Sequence, residues 1–245
     1  MKVGNRLCVL LLALLAAVAA GEAAEYDAVA MKAGKYFGEG EWASAQALYE
    51  LMLAERPDSL DTYAHAIVAS AMRADTLRMT DLLERSAAHS VGIYPLFDRV
   101  RELSFEVGRA SVYGDFLALS ARDMPWLSRP VDAALLEYYR FRHDGPMIVE
   151  YAGRMLRLLP RSVEYLSALA YGYMLCGDFA GASDTWRYIL EIAPDNYDTL
   201  LYLGNYYADS GDMEGASACL SRAYALRPTP YVGKWLKDND ASLSR

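Results

Sequence analysis

The chain has 245 residues, with 24 basic and 32 acidic side chains, a net charge of −8 and 54% hydrophobic residues. An acidic balance of this size disfavours nucleic acid and anionic membrane surfaces as partners. Its few cysteines and histidines form no Cys-x-x-Cys or His-Glu-x-x-His pattern, so the sequence implies no metal and no cofactor.

The first 24 residues are expected to be an address and not part of the fold. Lys2 and Arg6 precede an apolar run from Leu7 to Ala20, and small residues follow from Ala19 to Ala24. That is the layout of a secretory signal peptide. The run falls short of the ~20 residues that span a bilayer. Cys8 stands at its start, a poor place for lipid attachment. Cleavage after Ala20, or close behind at Ala23 or Ala24, would yield an exported protein, periplasmic or secreted, without an integral membrane segment. Loss of Lys2 and Arg6 takes the net charge to about −10.

From residue 25 onward one beat runs through the chain. In 26–59, Ala33, Tyr36, Gly40, Ala45, Tyr49 and Pro57 mark a helix, a turn and a second helix. The segment 60–93 keeps Ala74-Asp75 at its turn and apolar Leu82 and Leu83 after it. Gly108 and Pro125 hold the register in 94–127, with Ser104 at the position Tyr36 occupies earlier. A one-residue slip near Ser128 leads into 129–162, where Pro130 opens a helix and Asp144-Gly145-Pro146 marks the turn. An irregular helical bundle over 60–128 is the competing reading.

The last two units are the clearest. Pro160, Pro194 and Pro228 recur every 34 residues, and Leu169, Ala170, Tyr173, Gly177, Asp178 and Ala182 reappear as Leu203, Gly204, Tyr207, Gly211, Asp212 and Ala216. Leu166, Leu169, Ala170 and Tyr173 share one helical face. Gly177 suits a left-handed helix end, Pro194 ends the second helix, and Asp195 is placed to cap the next. Small residues at 170 and 204, opposite Ala182 and Ala216, predict close helix crossings. Thr229 and Pro230 start a final helix through Trp235 and Leu236 that would cover the last repeat. The expected organisation is a leader at 1–24, repeats at 25–128 and 129–230, and a capping helix and tail at 231–245.

This pattern resembles the tetratricopeptide repeat (TPR), strongly over 163–230 and well over 26–59, where Lys32 replaces the family leucine. The resemblance implies an all-α fold, a right-handed α-solenoid of about six helix pairs, of an exported bacterial type. It places Tyr36, Tyr139, Tyr173 and Tyr207 in the core, with Tyr171 and Tyr202 on other faces. It also implies a concave groove lined by first helices. By register that groove takes Ala133, Glu137, Arg140 and Phe141, then Ser167, Tyr171, Met174 and Leu175, then Leu201, Asn205, Ala208 and Asp209. Leu201 stands where the family's carboxylate clamp has lysine, which argues against that ligand although Asn205 is present.

The expectation is a non-enzymatic scaffold of the cell envelope that binds a protein or peptide in this groove. Two alternatives stay open: an obligate accessory subunit of an envelope assembly, or an enzyme with its site in the degenerate middle repeats. The groove could also be filled by the chain's own C-terminal helix. Ten arginines between residues 94 and 162 read either as solvated helix faces or as a centre that orients an anionic partner. Cys176 and Cys219 are expected as two separate, largely buried thiols.

Overall fold

The computed structural model describes residues 24–243, so the leader expected at 1–24 lies, but for Ala24, outside the described residues. Helix α1 runs over residues 24–38. It is followed by α2 (Trp42–Glu55), α3 (Leu60–Met72), α4 (Thr76–Ala88), α5 (Ile93–Glu106), α6 (Ser111–Asp123), a short 3-10 turn (Pro125–Leu127) and α7 (Ser128–Arg142). Then come α8 (Gly145–Leu158), α9 (Val163–Leu175), α10 (Phe179–Ile192), α11 (Tyr197–Ser210), α12 (Met213–Leu226) and α13 (Pro230–Leu243). Among the described residues there is no strand, and no helix is long and apolar enough to cross a membrane. The fold is an all-α solenoid of helix pairs closed by α13.

The beat of the sequence is visible in the backbone. Besides Ser90, which lies between α4 and α5, left-handed residues stand at Gly40, Ala74, Gly108, His143, Gly177 and Gly211, each of these six between the two helices of a pair. The six are 34 residues apart except for a step of 35 between Gly108 and His143. At the fourth turn the left-handed residue is His143, and Gly145 is instead the first residue of α8. The next residue along, Asp75, Asp144, Asp178 or Asp212, caps the second helix by accepting a backbone N–H three residues on. Such a cap stabilises a helix by about 1 kcal/mol.

Proline sets the other end of each pair. Helices α8, α10 and α12 stop two residues ahead of Pro160, Pro194 and Pro228, and the intervening Leu159, Ala193 and Arg227 are extended, with φ of −133°, −132° and −147°. The proline ring forces its predecessor out of helical geometry. The chain then needs a turn before the next helix, closed by the Asn196 N–H on the Ala193 carbonyl at 3.1 Å. That turn moves the cap one residue beyond the expected Asp195. Asn196 caps α11, accepting from the Thr199 N–H at 3.0 Å, as Ser162 does for α9 and Ser59 for α3.

The chain divides at Pro130 into two compact units. In the first, α3 packs on α2, α4, α5 and α6, and its Tyr63 and Ile67 are fully buried. Buried Ser70 and Ser104 stand where other repeats carry tyrosine, and each hydroxyl is satisfied by its own helix, donating to the Ala66 and Val100 carbonyls. Glu50 of α2 bridges Arg78 and Arg85 of α4 at 3.2 and 2.8 Å. Asp61 of α3 accepts from Arg99 of α5 at 2.7 Å and lies 3.3 Å from the His65 ring. These bonds, the His65 contact first and Arg99 after it, hold the Asp61 carboxyl well below the usual carboxylate range.

In the second unit the core gathers Leu166, Ala170, Ala182, Trp186, Ile189, Leu200 and Leu203. Burying each large aliphatic chain contributes roughly 1.5–3 kcal/mol. Close crossings depend on small residues: a Cβ at Gly204 would stand 2.7 Å from Leu220 Cγ, and one at Gly172 2.9 Å from Val149 Cγ2. The neighbours met at Gly204 are therefore Leu220 and Cys219. The repeat tyrosines Tyr36, Tyr139, Tyr173 and Tyr207 are half-buried, not sealed in the core, because each sits near the open end of its first helix. Cys176 is exposed at the end of α9, contrary to expectation, while Cys219 is buried within α12; both thiols are free. Burial pushes the Cys219 thiol up.

Candidate functional site

A cleft of about 660 Å³ opens in the second unit, between α7, α9 and the start of α11. Glu137, Arg140 and Phe141 project from the last turns of α7, and Ser167, Ala168, Tyr171 and Met174 form the α9 wall. The i, i+4, i+7 spacing of Ser167, Tyr171 and Met174 keeps them on one face of that helix. Opposite stand Asn196, Asp198, Thr199 and Tyr202 at the beginning of α11, with Trp186 of α10 behind them.

The aromatic groups are held by specific contacts. Trp186 is 4% exposed, and its indole stacks on the half-exposed Tyr202 ring with centroids 5.8 Å apart and planes at 13°. The Tyr171 hydroxyl is hydrogen-bonded to His143 Nδ1, which ties α9 to the left-handed turn after α7. Arg140 is paired with Glu137 at 2.7 Å, on the same face of α7. The cleft thus presents an aromatic and thioether floor with a polar rim. Its charged groups are one internally matched pair and the carboxylate of Asp198.

Of the residues that register assigned to a groove, the structure brings Glu137, Arg140, Phe141, Tyr171 and Met174 together, along with Ser167. It does not bring in Leu175, Leu201 or Asn205. Leu175 is exposed at the end of α9, its Cβ near the start of α8 at Gly145. Leu201 is half-buried outside the lining, and Asn205 accepts a hydrogen bond from the Tyr231 hydroxyl of α13 at 3.0 Å. The capping helix therefore reaches the last first-helix face, but not the cleft. Ala133, Ala208 and Asp209 also lie outside the lining.

Sequence reasoning set Tyr202 apart, with Tyr171, as a candidate for contact but left it out of the groove, and it missed Trp186, Asn196, Asp198 and Thr199. Asp198 is the second residue of its repeat, a groove position that the same register would have supplied. Trp186 belongs to a second helix and lines the cleft beside Tyr202, on which it stacks. Among the described residues, no group of three or more His, Cys, Asp or Glu side chains is placed to hold a metal ion.

No family model matches the chain, and no curated protein matches it in sequence. Solved structures do resemble it. The type IV pilus biogenesis factor PilW superposes with a TM-score of 0.51 at 14% identity, covering 86% of this chain and 98% of that one. PilF of Pseudomonas aeruginosa gives 0.48 at 15% identity, over 87% and 97%. The C-terminal part of a TPR repeat-containing protein from Cytophaga hutchinsonii gives 0.47 at 16%, over 80% and 78%. The deciding observation is the left-handed turn, recurring once per helix pair in step with the sequence motif. The fold is that of the tetratricopeptide repeat. Within this TPR chain the cleft is built mainly from first helices, α7, α9 and α11, with one second-helix side chain behind them.

Proposed function

We propose that this TPR chain is a non-enzymatic scaffold of the cell envelope that binds an extended or helical segment of a partner protein in the α7–α9–α11 cleft. The observation that carries the reading is the convergence of Phe141, Tyr171, Met174 and the Trp186–Tyr202 stack on one open cleft. Trp186 and Met174 also pack with the core cluster of Leu166, Ile189 and Leu203, whereas Phe141 and Tyr171 are outside it. Apolar anchors flanked by hydrogen-bonding groups are what a peptide in a helical groove requires. The cleft's acidic and basic groups can orient such a segment.

The envelope part of the reading rests on the leader-like N-terminus. Protein recovered from its native cell should begin between Gly21 and Tyr26, and a product that retains Met1 would remove it. The scaffold part is tested by placing a photo-reactive amino acid at Ser167, exposed on the cleft wall, or at Tyr188, exposed on α10. Irradiation in the native host should join one discrete partner to the Ser167 position and none to Tyr188. Adducts from Tyr188 alone would instead favour an assembly that uses the second-helix face.

A further inference from the structure

The cleft's charges say what kind of segment it accepts. Residues 163–230 carry nine acidic and three basic side chains. All three basic ones are committed elsewhere: Arg187 pairs with Asp184, Arg222 donates to the Pro194 carbonyl at 2.6 Å, and Arg227 lies over the Tyr197 ring at 4.3 Å. Arg140, the cation at the cleft itself, is neutralised by Glu137. Asp198, exposed at the rim, has no ion-pair partner among the described residues.

Asp198 also stands one turn ahead of Tyr202 on α11, and residues at this spacing lie roughly 6 Å apart on one helix face. Tyr202 is 50% exposed, with Trp186 stacked against it. A carboxylate beside an exposed aromatic ring is suited to a guanidinium, which can pair with the one and stack on the other. The chain makes the same stacking contact within itself, Arg227 on Tyr197 and Arg154 on Tyr151 at 4.7 Å.

We propose that the segment bound in this cleft carries a basic side chain, arginine in preference to lysine, held between Asp198 and Tyr202. Beside it, an apolar residue packs on Tyr171 and Met174. The inference rests on the peptide-binding reading and deepens it: the partner presents a basic and apolar sequence, not the acidic tail with a free carboxylate that a lysine-bearing groove would take.

The test uses the full mature chain and a phage-displayed library of random dodecapeptides. Selection should enrich peptides with arginine next to a large apolar residue. A synthetic copy of a selected peptide should bind about fivefold more tightly than its arginine-to-glutamine counterpart, as measured by fluorescence polarisation at low salt. Asp198→Asn and Tyr202→Leu should each reduce that preference below about twofold while leaving the apolar preference in place, Asp198→Asn without a change in melting temperature and Tyr202→Leu with only the small loss of its stack on Trp186. Tyr171→Ala should instead weaken both peptides alike. Enriched peptides without a basic residue, or a preference that survives Asp198→Asn, would overturn this inference and leave peptide binding standing. No enrichment over an unrelated protein would overturn both.

Discussion

The Trp186 indole of one repeat lies parallel to the Tyr202 ring of the next, 5.8 Å away. This one contact joins the core to the cleft, since Trp186 belongs to the buried cluster and Tyr202 to the exposed wall. Trp186→Ala is expected to lower stability by about 3–5 kcal/mol, a cost typical of emptying a large aromatic site. Tyr202→Ala should cost only about 1 kcal/mol, the worth of a stacked pair. Chemical denaturation of the two variants checks this ordering. Equal losses would mean that Tyr202 is as deeply structural as Trp186.

Gly204 should be intolerant of a side chain. A methyl group there meets Leu220 Cγ at 2.7 Å and Cys219 Cβ at 3.3 Å, atoms of the facing helix that cannot swing aside. Gly204→Ala is therefore expected to destabilise by about 1–3 kcal/mol despite the better helix propensity of alanine. Gly153, within α8, has no atom within 4 Å of its would-be Cβ, so Gly153→Ala should stabilise by up to about 1 kcal/mol. Ala182→Leu and Ala216→Leu, at fully buried positions, should fall with Gly204→Ala. Thermal melts that moved all four variants in one direction would contradict the packing described.

Much of this was legible in the sequence because it is written in residue types with one conformational meaning. Glycine followed by aspartate at 177–178 and 211–212 gives the left-handed turn and the cap, and proline at 160, 194 and 228 gives the stop. The middle repeats were harder to read because other residues perform the same tasks. Ala74 and His143 take the left-handed turn without glycine, and Ser70 and Ser104 replace tyrosine by bonding to their own helix. The cleft was half legible. Register along α7 and α9 brought out Glu137, Arg140, Phe141, Tyr171 and Met174, whose positions depend on one helix at a time. Trp186 and Tyr202 depend on how one repeat is offset from the next, which no spacing within a repeat encodes. The same offset leaves Leu201 and Asn205 outside the cleft.

The first unit should lose stability in acid through Asp61. Its carboxyl is held below the ordinary range by the contact with His65 and by Arg99. A depressed folded-state value means that the contribution is complete above the unfolded value of about 3.9 and is lost as pH falls below it. Asp61→Asn should therefore lower the melting temperature at pH 6, by a gap that narrows steadily as pH falls from about 4 toward 2. A constant gap between variant and parent across that range would show that the ion pair is not the source.

The account turns on the cleft as the binding surface. Its most direct test is the affinity of the partner joined at Ser167 for Tyr171→Ala, Met174→Ala and, as a control, Tyr188→Ala. Truncating an anchor commonly costs about 2 kcal/mol, roughly thirtyfold in Kd, and that loss is expected for Tyr171 and Met174 with Tyr188→Ala unchanged. Normal binding by both cleft variants, together with a loss at Tyr188→Ala, would contradict the account and move the interface to the second-helix face.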